Sequence, residues 1–472
     1  MDPDVLVVGA GSAGCVLAAR LSEDPGRRVL LLEPGALHVR DWPPELLDAA
    51  VIPAGHPETF QHAAELRPDR LTRLPRGRVV GGSGAVNGGY FVRATPTDVN
   101  AWPGLDHASL LPAFVRSESD TDFGDRSGHG RGGPIPVSRV AELHPVSASF
   151  VDAARAAGFV DEPDKNAGGP PGIGRLPLNV RDGVRVNAAL AYLLPALGRD
   201  NLTVRTGVTV ARVLLDRGRV RGVELVGGAR LLAEQVILSA GAIGSAEILL
   251  RSGIGPGKDL RDAGLDVHVE LPVGRGFSDH PDVAVPVAIP VVPVAPPAGD
   301  AHVRAEKSGS RTGLPLEVTL NTDVLELRPY TAGFDRLVPG SAAGSQRCVG
   351  VALVAPDSRG TLALRPDGST AIAHHYLATA RDRARLAEGV RLAHTLLAQV
   401  PPTNVDAWVR NNLGTSQHLV GTCAIGPVLD ADLAVHGVDG LRVVDASAIP
   451  LVPTRGPHAT VIALAEHAAT KT

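Results

Sequence analysis

The chain has 472 residues, 44% hydrophobic and 20% charged, long enough for two or three domains with ample apolar core. Its 46 Lys and Arg are spread along the chain against 50 Asp and Glu, for a formal charge of -4, which argues against a nucleic-acid or anionic-membrane binder and makes small-molecule chemistry the default. Three widely spaced cysteines, Cys15, Cys348 and Cys423, argue against a disulfide framework or a Cys-based metal site and suit a reducing compartment.

The opening MDPDVLVVGAG enters a strand almost at once and lacks the basic-then-apolar pattern of a secretory signal, so a cytoplasmic location, at most peripheral to a membrane, is expected. Strand DVLVV (4–8), a Gly-rich turn, a helical pattern from Ala13 to Ser22 and strand RVLLLE (28–33) form a βαβ unit. The turn, GAGSAG from Gly9 to Gly14, matches G-x-G-x-x-G, with Glu33 closing the second strand 19 positions after Gly14. In this context Gly9 serves the turn, Gly11 lets backbone approach a pyrophosphate, and Gly14 lets helix pack on strand. The helix start at Ser12 and Ala13 offers N–H groups to phosphates, and Glu33 can accept hydrogen bonds from a ribose diol. This fingerprint alone does not separate FAD from NAD.

Further along, GRVVGGSGAVNGGYFVRA (77–94) seats Asn87 among glycines flanked by apolar residues, which reads as a loop pressed against a ligand rather than a linker. Residues 117–134, SESDTDFGDRSGHGRGGP, are polar and Gly-rich enough for a surface loop or lid. The stretches NLTVRTGVTVARVLLD, GRVRGVELVGG and EQVILSAGA predict a meander of short strands joined by Gly turns. Residues 282–299, the most apolar later stretch, contain five prolines and so cannot be a membrane helix; an edge strand running into a Pro-rich loop is expected. GLRVVDASAIP (440–450) predicts a buried strand, and HATVIALAEHAA (458–469) a final helix docked on the domain that the first strand begins. No internal repeat is visible.

Several blocks together resemble the glucose–methanol–choline (GMC) flavoprotein oxidoreductases, over nearly the whole chain. The resemblance implies an α/β fold: a Rossmann-like FAD-binding domain (1–100, 185–290 and 411–472) interleaved with a substrate domain (101–184 and 291–410) built on an antiparallel sheet with helices. GRVVGGSGAVNGGYFVRA is similar to that family's first signature, which puts Val80, Gly81, Gly82, Asn87, Gly88 and Gly89 against the flavin, with Asn87 offering donor and acceptor. GAIGSAEILLRSGIG (241–255) resembles the second signature, with Ala240 and Gly241 at the cofactor and Ala246 where Pro is usual. VGRGFSDHP (273–281) resembles a stretch near the cofactor, and GVRVNAALAYLLPALGRDNLTV the segment leading to the adenine-side strands, where Val210 is placed. Gly84 replaces a usual small hydroxyl residue. Val86 stands where some members carry a flavin-linked His, which implies noncovalent FAD. HGRGGPIPVSR, GGSGAVNGGYF and the short length resemble the mycofactocin-associated branch, which would make the chain a dehydrogenase that reoxidises reduced mycofactocin and passes electrons onward.

TSQHLVGTC (415–423) resembles the family's HPVGTC block and implies His418 as the active-site base; RGPHATVIALAE implies His458 as the partner that holds the substrate oxygen. An imidazole with an ordinary pKa of about 6.5 suits the first task. Ala459 and Thr460 then begin a helix whose N-terminal dipole would steady negative charge on the flavin. Asp445 and Ala446, in VVDAS, are expected to reach the flavin region, while His280 and His436 read as structural. No metal site is supported, since ligand spacings such as H-E-x-x-H are absent, and no G-x-S-x-G elbow offers a hydrolase nucleophile. The partners implied are a small-molecule or redox-cofactor donor and an acceptor that is oxygen, a quinone or a carrier. Three alternatives stay open: an FAD oxidase or dehydrogenase of a free small alcohol, a lyase or binding protein with structural FAD, and an NAD enzyme.

Overall fold

Runs of Val and Leu without polar alternation, VLVV at Val5–Val8 and VLLL at Val29–Leu32, suit strands covered on both faces. In the computed structural model, which describes residues 2–286, 314–339 and 345–471, both are fully buried inside a five-stranded parallel sheet. The sheet runs Leu202–Arg205, Val29–Leu32, Val5–Val8, Gln235–Leu238, Leu441–Val443, every pair parallel. By order of appearance this is 3-2-1-4-5, so the chain switches sides beside Val5–Val8, where ligands of open α/β sheets bind beyond the strand ends. Helix Ser12–Leu21 leaves that point, one residue ahead of the expected start, and the final helix His458–Ala469 packs against it as expected.

The meander is smaller than the sequence predicts. Only Val210–Asp216, Arg219–Leu225 and Arg230–Leu232 form the antiparallel set, while Leu202–Arg205 and Gln235–Leu238 join the parallel sheet on opposite sides of the first two strands. Their partners lie about two hundred residues away in sequence, which local turn signals do not report.

The second large sheet is antiparallel throughout: Gly414–Thr415, Pro281–Pro286, Cys348–Leu353, Leu325–Pro329, Val318–Asn321, Ile173–Arg175. Pro281–Pro286 is therefore an inner strand, not an edge: its prolines sit at the two ends and leave the N–H groups between them free to pair. The Pro-rich continuation from residue 287 lies outside the described residues. One face of this sheet, with Val283, Val285, Leu325, Leu327, Val349 and Val351, packs an apolar core under helix Ala380–Leu396. The opposite face, in register across strands, reads Asp282–Ala352–Glu326–Asn321 and Ala284–Gly350–Arg328. Leu325–Pro329 is buried along its whole length, so this alternation puts charges on an enclosed face rather than in solvent. A third sheet joins the hairpin Thr59–Arg67 and Arg70–Gly77 to Thr370–Ala373, Gly360–Leu364 and Arg275–Phe277, and delivers the chain into the glycine stretch.

Residues 117–134 are likewise not a plain surface loop. Glu118–Asp120 pairs with Ile135–Val137, and Glu118, Asp120 and His129 are buried among Arg93, Arg139 and Asp164. The polar composition misleads because these charges pair with one another. Among the described residues no helix is long and apolar enough to cross a membrane.

Candidate active site

At the switch point the backbone is packed too closely for side chains. A Cβ at Gly14 would lie 1.8 Å from the Gly9 carbonyl oxygen, and one at Gly82 would lie 2.6 Å from the Gly11 Cα, so the 81–83 turn sits directly on the GAG turn. Gly81 N–H donates to Ala10 O (2.7 Å), which fixes the two turns together. Gly11 and Gly241 differ: a Cβ at Gly11 would meet nothing closer than 3.9 Å, and at Gly241 nothing within 4 Å, so space is left above both. Glu33 is buried, and its carboxylate accepts from Ala10 N–H (2.8 Å) and Gly35 N–H (2.9 Å). Burial pushes its pKa up to about 7, against the pull of those two N–H groups. Two buried donor or acceptor atoms beside the cradle, Asn187 Nδ2 and His458 Nε2, have no partner among the described residues. Open space over the helix start, a carboxylate at the second strand and unpaired polar atoms beside the glycine turn fit a dinucleotide that carries a flat ring.

The second element is a pair of histidines. His418 and His280 meet edge to face, with Nδ1 to Nδ1 at 3.0 Å, and His280 Nε2 lies 3.0 Å from the Pro453 carbonyl. A carbonyl only accepts, so His280 Nε2 carries the hydrogen, its Nδ1 accepts, and His418 Nδ1–H donates. His418 Nε2 is left with its lone pair. It is also the edge of the ring that approaches Gly456, whose Cβ position would be 3.6 Å from Nε2 and 4.0 Å from Tyr90 Cδ2. Desolvation, then the neighbouring His280, lowers the His418 pKa well below the ordinary imidazole value, so the ring is neutral. Asp279 clamps the segment: its Oδ1 accepts from the N–H groups of His280 and His418 (2.7 Å each) and its Oδ2 from Thr415 Oγ1 (2.9 Å). Burial works to raise the Asp279 pKa, but the adjacent His374, with Nε2 3.3 Å from Oδ2, holds it far below the usual range. Gln417, just before His418, is left-handed (φ 67°) and held by Arg76 (2.7 Å).

His458 begins the final helix two residues after Gly456, so both histidines border the same backbone turn. Its Nδ1 lies 3.4 Å from Ser12 Oγ, its ring stands edge-on to Phe91, and burial lowers its pKa to about 4. Gly84, where a hydroxyl is usual, has no room for more: a Cβ there would lie 2.9 Å from Ser12 Oγ and 3.1 Å from His458 Cε1.

Some expected residues have their side chains engaged elsewhere. Asn87 Oδ1 accepts from Gly89 N–H (2.9 Å), which leaves its amide as the free donor. Thr460 Oγ1 accepts from Ala94 N–H, and Asp445 accepts from Gly241 N–H, Ser245, Ser447 N–H and Ser447 Oγ, joining the Gly241–Arg251 helix to the last strand. Val210 is buried at the start of the meander, beside the Val208 N–H that donates to Glu33 O. Sequence reasoning missed His280 as the hydrogen-bond partner of His418 and overlooked Asn187 within a segment it singled out; the Asp-His pair of SDHP next to the stretch 273–281 was the available signal. It also did not gather Glu118, Asp120 and His129, whose ligand atoms come within 4.8 Å of one another; Arg93 and Arg139 already answer those carboxylates.

Two family models, each described as GMC oxidoreductase, match residues 3–282 and 356–465. The chain is 42% identical to an uncharacterised GMC-type oxidoreductase of Rhodococcus erythropolis, over 98% of this chain and 97% of that protein. It is 32% identical to an oxygen-dependent choline dehydrogenase of Staphylococcus xylosus, over 98% and 94%. A crystal structure of pyridoxine 4-oxidase from Mesorbium loti superposes with a TM-score of 0.88 at 31% identity, covering 100% of this chain and 99% of that one.

Proposed function

The chain belongs to the GMC oxidoreductase family, and on that premise we propose that it removes a proton and a hydride from an alcohol carbon, with His418 as base and FAD, held noncovalently, as hydride acceptor. When bound, FAD would supply a two-electron sink, chemistry that no side chain offers. The observation that carries the reading is the hydrogen-bond chain from Pro453 O through His280 to His418, because it leaves His418 Nε2 unprotonated and ready to take the hydroxyl proton. His458, with Ser12 Oγ–H donating to Nδ1, presents Nε2–H to the same oxygen and holds it in line. The cradle residues Gly9, Gly11, Ser12, Ala13, Gly14 and Glu33 would hold the adenosine pyrophosphate. Val80 to Gly82, Asn87 to Gly89 and Asn187 would face the ring. Val86, an unreactive side chain, supports noncovalent attachment. The domain division stated from the resemblance belongs to the same proposal, supported by one parallel sheet drawing strands from three remote segments.

The finer reading, that the donor is reduced mycofactocin, rests on the resemblance of HGRGGPIPVSR and GGSGAVNGGYF and forms one arm of the test. The purified protein should be yellow, and anaerobic addition of its donor should bleach the flavin; simple alcohols and reduced mycofactocin are compared side by side. A colourless protein would favour the NAD enzyme, and a yellow one that no donor bleaches would favour structural FAD. His418→Ala should stay yellow and lose flavin reduction by about 10²–10⁴-fold. Unchanged reduction would remove His418 from the role.

A further inference from the structure

The enclosed charged face of the antiparallel sheet lies beside the reacting histidines and is not used by the chemistry described so far. Arg328, 6% exposed, reaches across Gly350 and Ala284 to pair with Asp282, with Ser416 Oγ at 3.3 Å. On its other side Glu326 lies 3.7 Å from Nε and accepts from Asn321 (3.1 Å). Arg328 Nε itself and the buried Tyr90 hydroxyl have no hydrogen-bond partner among the described residues. The two side chains converge on the base. Tyr90 and His418 flank Gly456, and the Arg328 guanidinium reaches Ser416, whose own N–H donates to His280 O (3.1 Å). The Cβ position of Gly350 lies 2.8 Å from Tyr330 Oη and 3.2 Å from Arg328 Nε, so any residue larger than glycine would displace this wall.

Asp282 pairs with the guanidinium and accepts from Ser416 Oγ (2.7 Å), and Glu326 accepts from Asn321, whose Oδ1 in turn accepts from Lys165 Nζ (3.0 Å), so an arriving cation finds no unengaged carboxylate. A substrate oxygen, in contrast, finds two unpaired donors. We propose that Arg328 and Tyr90 are specificity-determining residues that select an alcohol bearing an oxygen acceptor next to the carbinol, anionic or uncharged, and reject cationic amino alcohols. This rests on the reading of the His418 site as an alcohol-oxidising centre.

The test uses holoenzyme and three alcohols of matched length: 3-hydroxypropanoate (anion), 3,3-dimethyl-1-butanol (neutral) and choline (cation). Binding is read as perturbation of the flavin spectrum in the His418→Ala holoenzyme, and turnover as anaerobic bleaching of the unmodified one. The anion should bind at least 10-fold more tightly than choline. Arg328→Met alone leaves Asp282 buried and unpaired, so it is paired with Asp282→Asn, which removes both members of the ion pair and leaves the net charge of the face unchanged. In that double variant the preference for the anion should fall at least 10-fold while yellow colour is retained, and Tyr90→Phe should weaken the anion without affecting choline. The proposal is overturned if choline binds as well as the anion, if the preference survives loss of Arg328, or if the anion leaves the spectrum unchanged. Bleaching without discrimination would sink the selectivity and spare the proposed function. Arg328-dependent anion binding with no bleaching by any donor would do the reverse.

Discussion

A histidine acts as a base through one ring nitrogen, and two tautomers compete for it unless the other nitrogen is engaged. Here the competition is decided by a main-chain carbonyl, that of Pro453 three residues before Gly456, acting through His280. His280→Ala should therefore retain the flavin and reduce kcat/KM by about 10–100-fold, the scale seen when an outer partner that orients a histidine is lost. A purely structural role would not move the pH profile, but this one should. In the unmodified enzyme the acid limb of kcat/KM should lie below the ordinary imidazole pKa of about 6.5, because desolvation and the adjacent His280 depress His418. Without His280 the limb should move up toward that value, and a fixed limb would contradict the assignment. The left-handed Gln417 beside His418 fits the same picture: a strained backbone of about 1–3 kcal/mol is tolerated where Arg76 holds Gln417 and Asp279 holds the His418 N–H.

At the level of elements, the final helix ties the histidine at its start to the first helix, against which it packs. His458 stands at its first position and Glu466, with no exposed area, two turns further along. Glu466 accepts from Arg20 (2.8 Å) on the first helix, Arg116 (2.6 Å) on helix His107–Ser117 and Tyr192 Oη (2.8 Å). Three elements thus fix the register of the helix that presents His458. Both arginines reach solvent in part, so Glu466→Gln leaves them hydrated and should cost about 1.5–3 kcal/mol, the range of hydrogen bonds to charged groups, rather than the full penalty of a stranded buried ion. Thermal or denaturant unfolding measures it. A change near zero would mean the helix is held by apolar packing alone.

For the whole molecule, the site exists only because segments near residues 9, 82, 187, 240, 280, 418 and 458 arrive together, so the cofactor should act as a folding ligand. Removing FAD should lower the melting temperature, and at a free ligand concentration of 100 times Kd the difference is about 2.7 kcal/mol. The gap should widen with pH. Without cofactor, Glu33 has a folded pKa of about 7 against its ordinary 4.5, so its contribution to stability is present below 4.5 and lost as pH rises through 7. A ribose diol donating to that carboxylate favours the charged form and offsets the loss. Melting curves of loaded and cofactor-free protein between pH 5 and 8 would expose a constant gap, which would exclude Glu33 from the ribose site.

Legibility followed the range of the interactions. The GAGSAG turn, both strands around it, the first helix and the final helix were readable because glycine geometry, apolar runs and helix periodicity act over a few residues, and the family resemblance added FAD and the two histidines. The outer strands of the parallel sheet, the inner position of Pro281–Pro286 and the internal pairing of 117–134 were not, since each depends on partners distant in sequence. By itself, then, the sequence determined that an α/β dinucleotide-binding oxidoreductase would form. Only the tertiary structure decided which nitrogen of His418 is free and which way Arg328 faces, because a tautomer and a charge pairing are properties of neighbours, and those neighbours meet only after the chain has folded.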